Sequence, residues 1–202
     1  MDLDPKDLID QAAQATQARE ASAMRLNTAV AVTVAVLATF MGICKVKDDN
    51  IVQAMQQAQA DKLDHWAYYQ SRTIRADVAE AAATQLALAK AGAPAAQGPA
   101  YDQAIAGYRA KAADQVKKRD ELKTQAETDQ KTYDSLNYRD DQFDLSDALL
   151  AIAIALLAVT ALTKLWPLFY VALVPTFFGV LMGVAGLAAL PIHPDALVKL
   201  LS

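Results

Sequence analysis

The chain is poor in the residues that build disulfides, metal sites and turns. Its 202 residues include one cysteine and two histidines, which excludes an intramolecular disulfide framework, a multi-cysteine zinc site and an iron–sulfur cluster. Glycine and proline are also scarce, with seven of each, so the chain has few turns. This scarcity argues against an all-β sandwich and favours long helices.

The sequence lacks the motifs that are typical of catalytic and phosphate-binding sites. It contains no GxxxxGK[ST] loop, no GxGxxG, no HExxH and no GxSxG, the patterns typical of nucleotide-binding and hydrolytic sites. The net charge of −4 gives no basic footprint for nucleic acid. The basic residues between Lys111 and Lys123 are interleaved with acidic ones, which predicts a solvated helix face. We therefore expect no enzyme activity, no cofactor, no metal and no nucleic-acid partner.

Hydrophobic residues, by contrast, are abundant and concentrated in runs. They make up 54% of the chain, and the mean hydropathy is +0.12. A helix of about 20 apolar residues crosses the hydrocarbon of a bilayer, and a lysine at its end extends a shorter run by snorkelling. The sequence predicts an all-α membrane protein with a polar N-terminal helix at 1–25, transmembrane helices at 26–44, 148–163 and 168–190, and a C-terminal tail at 191–202.

The polar segment between the first two spans, residues 45–147, reads as two matched helical arms. Apart from Gly107, its glycines and prolines lie at 92–99, a pattern that breaks a helix. The breaker leaves two arms of nearly equal length, each about 70 Å long at the helical rise. Equal arms are what a hairpin requires if it leaves one membrane face and returns to it. We therefore predict a long antiparallel coiled-coil hairpin with its turn at 92–99.

Apolar residues along each arm predict the seam of this hairpin. On the returning arm they recur at alternating steps of four and three from Tyr101, as in a heptad repeat. On the outgoing arm they recur every eleven residues from Val52, which predicts a nearly straight helix. The predicted seam residues are Val52, Leu63, Trp66, Ile74, Tyr101, Ile105, Tyr108, Leu122, Tyr133 and Leu136. The seam is thin, so lateral packing against other copies of the chain is expected.

Small residues in the last two spans predict close helix contacts. Gly179, Gly183 and Gly186 follow a GxxxG-like spacing, and Ala151, Ala155 and Ala158 line one side of the second span; such residues let helix backbones approach closely. We expect leucine at position 183 to weaken self-association. Four threonines are expected to add interhelical hydrogen bonds: Thr33, Thr39, Thr160 and Thr163. The spans contain no ionisable acid or base, which argues against an ion-coupled transporter.

The stretch from Asp61 to Gln70 is the most unusual of the chain, because His65 lies among acidic and aromatic residues. In one interpretation Asp61, Asp64 and His65 hold a metal, or the aromatic rings stack on a ligand. In the favoured interpretation Trp66 fills the seam, and Asp61 contacts His65 one helical turn away. The second histidine, His193, follows the third span and is expected at the membrane interface.

The order of these features resembles a bacterial family of membrane proteins catalogued as a domain of unknown function. The resemblance rests on Met24–Asn27 entering the first span, Ala38–Asn50 leaving it, and Asp64–Gln70 on the outgoing arm. It extends over nearly the whole chain. It implies a bacterial membrane location and supports three spans, but it implies no activity and no catalytic residue.

These observations predict an oligomeric membrane scaffold with a projecting coiled-coil stalk. An alternative is a channel-like or tension-responsive assembly whose third span lines a pore, and a second alternative is ligand or metal binding around His65. The expected partners are membrane lipids, further copies of the chain and an unidentified protein on the hairpin. The resemblance places the chain in a bacterial inner membrane, and lysine and arginine near the spans favour a cytoplasmic hairpin.

Overall fold

The computed structural model describes residues 5–192 and consists of three long helices. Helix α1 runs over Pro5–Ala91, a 3₁₀ turn over Ala95–Gln97, α2 over Gly98–Thr163 and α3 over Trp166–Ala188. No strand occurs among these residues, so the all-α prediction is confirmed for the described part of the chain. Residues 1–4 of the predicted N-terminal helix and 193–202 of the predicted tail, with His193, lie outside it.

Each of the three helices contains a stretch long and apolar enough to cross a membrane. The sequence explains this directly, because the apolar runs at 26–44, 148–163 and 168–190 fall within α1, α2 and α3 respectively. A helix of this length satisfies all its backbone hydrogen bonds internally, as hydrocarbon requires. Length and composition are therefore consistent with an integral membrane protein.

The chain divides into two compact units, which we describe separately. The three-helix unit comprises Met1–Ile51 and Tyr138–Ser202, and the two-helix unit comprises Val52–Asn137. Within the two-helix unit we call Val52–Ala91 the outgoing arm and Gly98–Asn137 the returning arm.

The core of the three-helix unit is built from one apolar face of each helix. Its fully or nearly fully buried members are Leu26, Val30 and Leu37 of α1, Leu150, Ala153 and Leu157 of α2, and Ala172 of α3. Steps of four and seven residues on α1, and of three and four on α2, keep these side chains on one face of each helix. The opposite faces of the same helices are exposed and equally apolar, as at Val36, Leu162 and Phe177.

The threonines of the spans do not connect helices, so this expectation is wrong. The hydroxyls of Thr33, Thr39, Thr160 and Thr163 donate to the carbonyls of Ala29, Ala35, Leu156 and Val159, each four residues earlier on the same helix. A threonine within a helix reaches that carbonyl in a common rotamer, so its hydroxyl is satisfied without a partner helix.

A short connection joins α2 to α3. Lys164 adopts a left-handed backbone with φ of 57°, and its N–H donates to the Thr160 carbonyl at 2.9 Å, which ends α2. Helix α3 then begins at Trp166 with a proline in its first turn. The indole N–H of Trp166 donates to the Ser22 hydroxyl of α1 at 3.0 Å.

Candidate functional site

The three predicted packing glycines lie at the contact of α3 with α1 and α2. All three are buried. A Cβ at position 179 would lie 2.8 Å from Leu150, at position 183 it would lie 2.7 Å from the Phe40 ring, and at position 186 it would lie 2.9 Å from the Phe143 ring. Only a glycine fits where helices approach this closely. The glycine face is therefore covered within one chain, and leucine at position 183 is expected to act first on folding rather than on self-association.

The alanines predicted to pack with them are placed differently. Ala151, Ala155 and Ala158 are exposed on α2, whereas the neighbouring Leu150, Ala153 and Leu157 are buried. The three alanines thus form a small-residue face directed away from α1 and α3.

Polar side chains of α2 bind the backbone of α3, which the sequence analysis missed. The Ser146 hydroxyl donates to the Gly179 carbonyl at 2.8 Å, and the Arg139 guanidinium donates to the Gly186 carbonyl at 2.9 Å. The Gln142 amide donates to the carbonyls of Leu190 and Ile192 at 2.9 and 2.6 Å. The Gly186 carbonyl lies in the last turn of α3, where carbonyls lack intrahelical partners, while Leu190 and Ile192 follow the helix.

A signal for these residues was present in the sequence. Arg139, Gln142 and Ser146 precede Leu150, Ala153 and Leu157 at steps of three or four, so they lie on the face of α2 that the span buries. Polar residues on a buried face require hydrogen-bond partners. The apolar members of this repeat form the core of the span, and the polar members form the hydrogen bonds to the backbone of α3 and of the residues after it.

A group of carboxyls lies between α1 and α2 in the three-helix unit. Asp48 of α1 is only 4% exposed, and Lys45 donates to its Oδ2 atom at 2.8 Å. The Oδ1 atom of Asp48 is buried and has no N–H or O–H donor among the described residues. Asp140 and Asp144 of α2 lie nearby, since both are within electrostatic reach of Asp48.

Desolvation and mutual repulsion hold the carboxyls of Asp140 and Asp144 towards their neutral form. Burial, a hydrogen bond with Asp48 and the charges of Asp144, Asp48 and Asp141 raise the pKa of Asp140 to about 7. The pKa of Asp144 is also raised, by burial first and then by the charge of Asp48. Desolvation and like charges both disfavour the ionised carboxylate.

A small cavity adjoins this group. Its volume is about 20 Å³, and it is lined by Met41, Cys44, Lys45, Asp48, Phe143, Asp144, Ser146 and Asp147. A cavity of this size accommodates about one water molecule. The arrangement is therefore suited to holding and exchanging a proton rather than to binding an organic substrate.

On the returning arm, the predicted seam residues line the side that faces the outgoing arm. Ile105 is buried, and Tyr101, Leu122, Tyr133 and Leu136 are half-buried. Tyr108 is 38% exposed, and the ammonium group of Lys111 lies 5.2 Å from its ring centre. The buried alanines Ala112 and Ala126 complete the same series.

On the outgoing arm, the predicted seam is wrong for two residues. Leu63 and Ile74 are 59% and 63% exposed, while Val52 and Trp66 are half-buried. The residues that are buried or half-buried instead recur at alternating steps of three and four: Met55, Ala58, Lys62, His65, Tyr69, Arg72, Ala76, Ala79, Ala83, Leu86 and Lys90. Many of these residues are alanine or polar. The large apolar side chains Leu63 and Ile74 lie on a different, exposed face of the helix.

Polar side chains link the two arms in antiparallel order. The His65 Nδ1 atom lies 2.6 Å from the Asp129 Oδ2 atom, and Arg72 donates to the Gln115 amide oxygen at 2.9 Å. Two further bonds join Lys62 to Gln130 and Lys90 to Asp102. Partner numbers fall on one arm as they rise on the other, which is the order that an antiparallel pair requires.

These contacts also involve the stretch around His65. Its partner is Asp129 of the returning arm, and Asp61 instead accepts from the Gln57 amide at 2.8 Å, so the expected contact between Asp61 and His65 is wrong. Trp66 and Tyr69 pack edge to face at 5.2 Å. Among residues 5–192 there is no group of three or more His, Cys, Asp or Glu side chains that could hold a metal ion.

Comparison with known proteins places the chain in a family. No curated protein and no solved structure matches it. The sequence model of a family described as "Domain of unknown function (DUF4337)" matches residues 26–189, which include both arms, the first two apolar runs and all but the last residue of the third. The chain therefore belongs to this family, as the resemblance in its sequence indicated.

Proposed function

We propose that this protein is an oligomeric integral membrane scaffold whose two-helix unit forms a coiled-coil stalk. The role is structural and non-enzymatic. The observation that carries the proposal is a second, unpartnered apolar row on the outgoing arm. Three features support it in turn: the exposed apolar surface of the three-helix unit, the pairing of the arms, and that row.

The three-helix unit exposes a large apolar surface that suits lipid. Large apolar side chains are exposed on every helix, among them Val32, Val36, Ile43, Ile152, Val159, Leu162, Phe177 and Phe178. Water-soluble proteins rarely expose a continuous surface of this kind. Trp166, Phe169 and Tyr170 cluster where α2 passes to α3, with ring centres about 6 Å apart, as aromatic residues do at a membrane interface. Membrane lipids are therefore the first proposed partner.

We infer that the two arms pair as an antiparallel coiled coil. Support comes from the alternating steps of three and four on both arms and from the antiparallel order of their four polar bonds. Heptad spacing is what keeps two helices in contact along their length. Small and polar residues occupy much of this seam, so the hydrophobic stabilisation of one hairpin is modest.

Spin labels test this pairing. With the single native cysteine replaced by Cys44→Ala, labels at Val52→Cys and Leu136→Cys are expected less than about 20 Å apart, since paired helices lie roughly 10 Å apart. Labels at Val52→Cys and Gln97→Cys are the control and are expected about 60 Å apart, from the helical rise. Electron paramagnetic resonance distance measurement gives both values. A long distance for the first pair would contradict the hairpin.

The outgoing arm also carries an apolar row on the face turned away from the returning arm. Ala60, Ala67, Ile74, Ala81 and Leu88 recur every seven residues and are all exposed, and Leu63 and Val78 flank them, also exposed. A groove of about 310 Å³ lined by Ile74, Val78 and Tyr108 adjoins the row. A seven-residue repeat on a helix surface fits a second helix of the same repeat. We propose that a second copy of this chain packs here.

Matched alanine-to-glutamate variants test this interface. Ala67→Glu with Ala81→Glu places two charges in the outer row and is expected to lower the oligomer mass, because a charge buried between apolar helices is costly. Ala110→Glu with Ala113→Glu places the same charges on exposed positions of the returning arm and is expected to leave the mass unchanged. Size-exclusion chromatography with light scattering in detergent measures both. A monomeric wild type would overturn the proposal, as would equal masses for the two variants.

The channel alternative has less support from the packing. A pore lined by the glycine face of α3 requires that face to be free, but Leu150, Phe40 and Phe143 cover it.

We propose, from the family resemblance, a bacterial inner-membrane location. Lys45, Lys47 and Arg139, close to the spans on the hairpin side, favour a cytoplasmic hairpin, where a further protein partner would have access.

A further inference from the structure

We propose that Asp48 of α1 and Asp140 of α2 form a proton-binding site, in which one shared proton joins the two helices and its release weakens their contact. The site belongs to the three-helix unit and is independent of the proposed oligomer. It rests first on the geometry of Asp48. That carboxylate is buried, Lys45 satisfies its Oδ2 atom, and its Oδ1 atom has no donor among the described residues.

A proton on Asp140 supplies the missing donor. Asp140 lies within hydrogen-bonding reach of Asp48, and two carboxyl groups so placed form a hydrogen bond only when one of them carries a proton. Lys45, at 2.8 Å, stabilises the negative charge of Asp48, so the proton lies on Asp140. When Asp140 is protonated, the buried Oδ1 atom of Asp48 accepts a hydrogen bond from it. When Asp140 is ionised, that atom has no donor, and a buried acceptor without a donor destabilises the fold.

The surrounding charges reinforce this assignment. On α1 the neighbours are Lys45 and Asp49, which are paired with each other at 3.4 Å. On α2 the neighbours are Asp141, Asp144 and Asp147, whose negative charges act on Asp140 or on Asp144. On α3, residues 166–188 contain no charged side chain. Among the described residues that act on Asp140 or Asp144, the one cation is Lys45, which is already bound to Asp48.

The sign of the pH dependence follows from the direction of the shift. Burial, the bond with Asp48 and neighbouring charges raise the pKa of Asp140 from the model-peptide range to about 7, so the folded chain binds this proton more tightly than the unfolded chain. The stabilisation is complete below the unfolded pKa, near 4, and is lost as the pH rises through about 7. The pKa of Asp144 is also raised, so its ionisation lowers the stability of the folded chain as the pH rises, as the ionisation of Asp140 does.

The test compares the unfolding of full-length variants in detergent between pH 5 and pH 8. For the wild type, the unfolding equilibrium constant is expected to rise with pH, by at most about tenfold per pH unit for one linked proton. Asp140→Asn keeps a donor for Asp48 but does not ionise, so its pH dependence is expected to be much flatter. At pH 8 it is expected to be more stable than the wild type. Asp49→Asn removes an exposed charge from the same region and is expected to keep the wild-type slope.

Infrared spectroscopy of the folded wild type tests the same site without an unfolding measurement. It therefore applies even if Asp140→Asn does not fold. The folded wild type is expected to show a protonated-carboxyl absorption at pH 6 that disappears by pH 8.5. Asp48→Asn, which removes the charged partner, is expected to shift that transition to lower pH. Identical slopes for the wild type and Asp140→Asn would overturn the proposal, as would the absence of a carboxyl transition between pH 6 and pH 8.5.

Discussion

Leucine in place of Gly179 is expected to destabilise the three-helix unit by about 4 kcal/mol. A Cβ at this position would lie 2.8 Å from Leu150 and 3.2 Å from the Cβ atom of Leu149. Leu150 is fully buried, and a Cβ atom next to the backbone cannot rotate away. Helix α3 must therefore move outward, which also strains the bond from Ser146 to the Gly179 carbonyl. Overpacking of this kind costs about 3 kcal/mol, and the lost hydrogen bond adds about 1 kcal/mol.

Gly42→Leu is the matched control, because a Cβ at that position meets nothing within 4 Å. Leucine favours a helix over glycine by up to about 1 kcal/mol, so this variant is expected to be as stable as the wild type or slightly more stable. Unfolding in detergent, followed by circular dichroism during titration with sodium dodecyl sulfate, measures both. Equal destabilisation by the two substitutions would show that α3 does not pack on α2 through Gly179.

The second large effect is expected from Gln142→Leu. This side chain is 1% exposed, and its amide donates to the carbonyls of both Leu190 and Ile192. Leucine has nearly the same volume but no donor, so the Ile192 carbonyl loses the Gln142 amide and the Leu190 carbonyl keeps only the Ile192 N–H. The expected loss is about 2 kcal/mol, at about 1 kcal/mol for each hydrogen bond. The same unfolding titration measures it.

Two further variants separate hydrogen bonding from packing at this position. Gln142→Glu keeps the shape but sets a carboxylate against carbonyl oxygens, and it is expected to be at least as destabilising as leucine at neutral pH. Gln103→Leu makes the same glutamine-to-leucine change at an exposed position of α2 and is expected to be nearly neutral. A wild-type stability for Gln142→Leu would mean that the end of α3 is held by Arg139 alone.

The sequence predicted the features that depend on long-range composition. The three apolar runs, the scarcity of turns and the breaker around Gly92 and Pro94 were enough for an all-helical chain with three helices apolar enough to span a membrane. On the returning arm, large apolar and aromatic residues recur at heptad spacing, and the predicted seam residues there are buried or half-buried except Tyr108, which is exposed. These signals are strong because each follows from the solvent preference of many side chains at once.

The candidate site was less predictable because its residues act through pairs. Asp48 and Asp140 are far apart in the sequence, and neither is unusual by itself. Only their proximity makes the burial of Asp48 and the raised pKa of Asp140 meaningful. In the same way, the outgoing arm contacts its partner through alanine and polar residues, and its largest apolar side chains lie on the opposite face. The hydrophobicity pattern shows which face of a helix is more apolar, but it does not show which other helix packs against that face.

The amino-acid sequence by itself determined where the helices lie and which stretches are apolar enough for lipid, because those properties are set locally by propensity and hydropathy. Tertiary structure alone decided which face of each helix is covered. It set the glycines of α3 against Leu150, Phe40 and Phe143 within one chain, left the outer row of the outgoing arm exposed, and brought a buried carboxylate of α1 to a carboxyl of α2. The physical reason is that close packing and shared protons depend on distances between residues remote in the chain, which no local pattern encodes.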